Sequence, residues 1–71
     1  DNQKIIVFAE VLNKQIETND AEAIDTLKQL KEISGINKYR DIVKSIEQEL
    51  NLYNFEEAEI LSTELLKEIR R

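Results

Sequence analysis

Large apolar residues recur every three or four positions through four segments of this chain, and only a few polar residues separate each segment from the next. Ile5, Phe8, Ala9, Leu12 and Ile16 make the first stripe. Ala23, Ile24, Leu27, Leu30 and then Ile33 or Ser34 make the second. Tyr39, Ile42, Val43, Ile46 and Leu50 make the third, and Phe55, Ala58, Leu61, Leu65 and Ile69 the fourth. That spacing is the period of an amphipathic α-helix. No proline interrupts it. The breaks are "ETND" from Glu17, "SGIN" from Ser34 and the softer "NLYN" from Asn51. Gly35, the single glycine, can take the left-handed conformation that ends a helix. Asn19 precedes Glu22 by three residues and Asn54 precedes Glu57 likewise, the spacing at which an Asn caps a first turn and a Glu reaches back to the cap amide. Helices are predicted over roughly 3–18, 20–34, 38–52 and 55–70. Short connections make sequence neighbours antiparallel. The expected fold is all-α, an antiparallel up-and-down four-helix bundle built from two tandem helical hairpins.

One stretch resists this reading. "KIIVFAEV", Lys4 to Val11, has four consecutive large apolar residues, three of them β-branched, and alone would pass for a buried strand. A single strand cannot satisfy its own backbone, and nothing else in the chain offers it a partner. The stripe from Ile5 also continues in helical step to Ile16. The stretch is therefore expected to be helical, with packing overriding propensity. A remainder is left: Ile6 and Val7 fall off that stripe, and Val11 lies at its edge. A wide stripe at the bundle centre accounts for them equally well; otherwise they meet a neighbouring domain or the same helix of a second copy. Ile60, opposite the Ala58–Leu65 stripe, is a weaker case of the same kind.

Composition excludes more than it assigns. Seventy-one residues make one domain, 1–71, with a small core. The chain starts at Asp1 rather than methionine, which reads as a fragment of something longer. Without histidine it lacks the commonest general base, the commonest zinc ligand and any phosphohistidine. Without cysteine it has no disulfide or thiolate chemistry, which suits a reducing, cytoplasmic setting. One glycine cannot make a phosphate-cradling loop. Fifteen acidic residues against ten basic ones, net charge −5, argue against nucleic acid as a partner. The one basic pair, Arg70-Arg71, suits a helix C-terminus. No apolar run approaches the ~20 residues of a membrane span.

The remaining polar groups have ordinary explanations. Glu56, Glu57 and Glu59, like Asp20, Glu22 and Asp25, sit at a helix start, where negative charge complements the macrodipole. Glu10–Lys14 and Asp25–Lys28 have the spacing of helix-surface ion pairs. Ser62 and Thr63 would need a base to act as nucleophiles, and no histidine supplies one. No catalytic residue, cofactor or metal is expected. Tyr39 and Tyr53 flank the third helix, where each can anchor a partner or cover a bundle end. The candidate interface residues are thus Ile6, Val7, Val11, Tyr39, Tyr53 and Ile60.

The two halves of the chain resemble one another. "NDAEAIDTLKQL" from Asn19 and "NFEEAEILSTEL" from Asn54 match at Asn, Glu, Ala and Leu with an offset of 35. Such a period raises the tetratricopeptide repeat. However, that repeat's first-helix glycine position is held by Val11 or Ile46, and its terminal proline is absent. A closer resemblance covers nearly the whole chain. "YNFEEAEILSTELLKEI", Tyr53 to Ile69, and "NDAEAIDTLKQLKEISG" resemble the C-terminal helical module of bacterial hybrid sensor kinases, which is similar to a histidine-phosphotransfer domain. The resemblance implies a cytoplasmic interaction module of a two-component signalling protein, with a receiver or neighbouring domain as its partner. Where such domains carry "A-H-x-L-K-G", this chain reads "IDTLKQL" and "ILSTELLKE". Lys28 or Gln29, and Ser62 or Thr63, would stand near the histidine position. None accepts phosphate as an imidazole does, so the inherited role implied is docking and not phosphoryl transfer.

Overall fold

The computed structural model describes residues 2–71. Four α-helices follow one another: α1 Asn2–Glu17, α2 Ala23–Leu30, α3 Arg40–Asn51 and α4 Phe55–Ile69, with a 3₁₀ turn Ile36–Tyr39 before α3. No strand occurs among the described residues. "KIIVFAEV" lies wholly within α1, as its helical stripe requires. The helices pack together around one core, α1 against α2 and α4, and α3 against the same two. Ile5, Leu12, Ile16, Leu27, Leu30, Ile46, Leu50 and Leu65 are its largest fully buried apolar side chains. Each came from a predicted stripe. Burying a side chain of that kind contributes roughly 1.5–3 kcal/mol.

α2 is shorter than predicted at both ends, and hydrogen bonding shows why. Asn19 does not cap α2. It ends α1 in a left-handed conformation, φ 57°. Its N–H donates to the Ile16 carbonyl at 3.0 Å, and that of Asp20 donates to Gln15 at 2.8 Å. This pair of bonds is the Schellman closure of a helix C-terminus. α2 begins without a side-chain cap, after a turn in which the Asp20 carboxylate accepts from the Glu22 N–H at 2.9 Å. At the far end, Glu32 and Ile33 donate to carbonyls three residues back, at 3.1 Å each. The helix thus tightens into 3₁₀ geometry before Gly35, which takes a left-handed conformation at φ 94°. Ile36, predicted to lie in a break, is core instead.

The α3–α4 turn repeats the same closure. Tyr53 has φ 57°, donates to Leu50 at 3.0 Å, and Asn54 donates to Glu49 at 2.8 Å. Asn54 then accepts from the Glu57 N–H, as predicted, at 3.5 Å. The predicted return contact from Glu57 finds its target taken, because the Asn54 N–H already serves Glu49.

The internal repeat therefore has two offsets. Buried Ala9, Leu12 and Ile16 correspond to Val43, Ile46 and Leu50 at a spacing of 34, as do the left-handed Asn19 and Tyr53. Buried Ala23, Leu27 and Leu30 correspond to Ala58, Ser62 and Leu65 at 35. The extra residue is absorbed where the second helices begin. Ala23 bonds back three residues to Asp20, whereas Ala58 bonds back four to Asn54.

Candidate interaction surface

The predicted interface residues divide by burial. Ile6 is half-buried and packs against the core. It stands one heptad before Asn13, on the flank of α1 that meets α4, so it is less free than its distance from the main stripe implied. Tyr39 is likewise half-buried against the core. Val7 and Val11 are exposed on α1, and Ile60 is 54% exposed on α4. Tyr53 is 69% exposed at the α3–α4 turn, beside Leu52 at 73%. Sequence reasoning missed Leu52 by assigning it to a break. A signal was available: at the 34-residue spacing Leu52 and Tyr53 correspond to Thr18 and Asn19, both of them polar turn residues.

Ser62 and Thr63 hold two helices together. Ser62 is 1% exposed. It accepts a 2.6 Å hydrogen bond from the Asn13 amide of α1 and donates to the Glu59 carbonyl at 3.1 Å. Thr63 donates to the same carbonyl at 2.9 Å and accepts from Asn13 at 3.3 Å. Both hydroxyls thus tie α4 to itself and to α1, and Ser62 is closed to a phosphodonor. Lys28 and Gln29 are exposed on α2. Among the described residues, every buried side-chain nitrogen or oxygen has a hydrogen-bond partner.

The ion pairs differ from those the spacing suggested. Glu10 reaches across to Arg70, not along α1 to Lys14. Lys31 pairs with Glu47 at 2.8 Å, and Arg71 with Glu68 at 3.5 Å. Asp25–Lys28 is not among the ion pairs of the described residues. All three bridges have partners at least a third exposed, so each contributes at most ~1 kcal/mol. An open cleft of about 290 Å³ lies where the α2–α3 connection meets α3. Ile36 and Val43 contribute its apolar lining, and Lys31, Arg40, Lys44 and Glu47 line it with charge.

No three acidic side chains are grouped to hold a metal ion among the described residues. No helix among them is long and apolar enough to cross a membrane. Comparison with known protein families, with curated proteins and with solved structures finds no match to this chain.

Proposed function

We propose that the chain is a non-catalytic interaction module of a bacterial two-component signalling protein, an antiparallel up-and-down bundle that docks a neighbouring or receiver domain in the cytoplasm without transferring phosphate. The observation that carries this reading is the division of apolar residues. One well-packed core accounts for the stripes, yet Val7, Val11 and Ile60 remain outside it. Val7 and Val11 stand one turn apart on the same side of α1, and large apolar side chains left together on an outer face mark a contact surface.

Two ties between α1 and α4 support the antiparallel arrangement. Asn13 meets Ser62, while Glu10, nearer the start of α1, meets Arg70, nearer the end of α4. The packing of α1 on α4 also favours a closed bundle over an open, tetratricopeptide-like stack of hairpins. The 34-residue spacing of the first helices is what speaks for that second reading.

Calorimetric titration of the chain with a purified receiver domain, before and after phosphorylation by a small phosphodonor, tests the proposal. Saturable binding that weakens when Val7→Glu and Val11→Lys are combined is the expected result. Absence of receiver binding, together with a monomeric chain by sedimentation, would remove the reading.

A further inference from the structure

We infer that the α3–α4 turn is a docking tip for a cationic amphipathic segment of a partner protein, with Leu52 and Tyr53 as its apolar anchors. The inference rests on the interaction-module reading and names the chemistry of one partner.

The two helix–turn–helix pairs provide an internal control. Each first helix closes by the same pair of backbone bonds, and each closure needs one residue at φ 57°. In the first turn that residue is Asn19, preceded by Thr18. Asparagine is among the few non-glycine residues that visit this conformation readily, because its short polar side chain bonds locally. Thr18 also donates its hydroxyl to the carbonyls of Lys14 and Gln15, at 3.2 Å each. The second turn builds the same geometry with Leu52 and Tyr53. Leu52 has no hydroxyl for the helix end, and an aromatic residue is poorly suited to positive φ. Neither side chain is repaid by burial, since both are among the most exposed large apolar residues of the molecule. The Tyr53 ring has one neighbour of its kind, Phe55, at 6.5 Å between centroids and tilted by 50°. The fold would close at least as well with the polar pair of the first turn. Strain and exposure together at one site point to a use outside the fold.

Charge selects the occupant. From Ser45 to Leu66 the chain has no lysine or arginine and carries six glutamates. Glu49, Glu56 and Glu57 stand within four residues of the apolar pair. In the antiparallel bundle the first turn lies at the same end and adds Glu17, Asp20 and Glu22. Two such tips repel each other, and an anionic membrane is repelled likewise. A lysine- or arginine-rich helix with one apolar stripe satisfies both the carboxylates and the anchors.

The test titrates ¹⁵N-labelled chain with a short amphipathic helix of lysine and leucine, and with its glutamate–leucine counterpart. Resonances of residues 49–57 should shift with the cationic peptide alone. Leu52→Thr with Tyr53→Asn installs the residues of the first turn and leaves the net charge unchanged. This variant should fold, melt no lower than the parent, and bind the cationic peptide about tenfold or more weakly. Unchanged affinity would mean that charge alone attracts the peptide and would overturn the proposal. Shifts centred on another face would overturn it too, as would a chain dimer in sedimentation that this variant dissolves. Receiver binding through Val7 and Val11 is a separate measurement, so the two readings fail independently.

Discussion

Removing the Asn13 amide tests the contact that closes the bundle. Asn13 on α1 donates to Ser62 on α4 at 2.6 Å, and Ser62 is 1% exposed. Asn13→Ala leaves the buried hydroxyl bonded to the Glu59 carbonyl but takes away the donor it accepts from. A net hydrogen bond contributes about 0.5–1.5 kcal/mol, and an acceptor left dry adds to the loss, so a cost of about 1–2 kcal/mol is expected. Ser62→Ala should cost less, about 0.5–1 kcal/mol. The half-buried Asn13 amide can rehydrate, and the Glu59 carbonyl keeps its bond from Thr63. The double variant should then show a coupling of about 0.5–1.5 kcal/mol. A domain of 71 residues has about 4–11 kcal/mol of stability in all, so urea melts resolve each step. Thermal melts of Asn13→Ala should fall by about 4–16 °C. Additive effects within about 0.4 kcal/mol would mean that the side chains do not meet, and the packing of α1 on α4 would be wrong.

Other substitutions should rank by burial. Leu12→Ala, Leu27→Ala, Ile46→Ala and Leu65→Ala, each at a buried site, should cost about 2–5 kcal/mol in denaturant melts, against less than about 1 kcal/mol for Ile60→Ala, which is half-exposed. Gly35→Ala forces a Cβ into φ 94° and should cost about 1–2 kcal/mol, whereas Tyr53→Gly at φ 57° should be neutral or stabilising by calorimetry. Val7→Glu with Val11→Lys should leave the helical circular dichroism intact, while Ile6→Lys, at a half-buried site, should lower the melting temperature.

Helix positions and faces were legible because apolar spacing reports them directly. Every large side chain that is fully buried lies on a predicted stripe, except Ser62. Ser62 is polar and occupies the core position that Leu27 holds in the first pair, so only the repeat could have revealed it. The ends of α2 were less legible. Asn19 suits a helix start and a left-handed helix end equally well, and here it takes the second role. Local sequence does not arbitrate between them, whereas the closure of α1 does. Tyr39 and Tyr53 looked alike as residues flanking α3. Their burial differs because Tyr39 corresponds to the buried Ile5 at the 34-residue spacing, and Tyr53 to the turn residue Asn19. The candidate surface was only partly visible, since Leu52 lies outside every stripe and its exposure follows from the turn geometry.

The most direct test of the functional account is the intact mass of the chain after incubation with a phosphorylated receiver domain at neutral pH. With no histidine anywhere in the chain and Ser62 sealed beneath Asn13, the mass should stay unchanged while the receiver keeps its phosphoryl group or loses it to water. A chain that gains one acid-labile phosphoryl group would contradict the account.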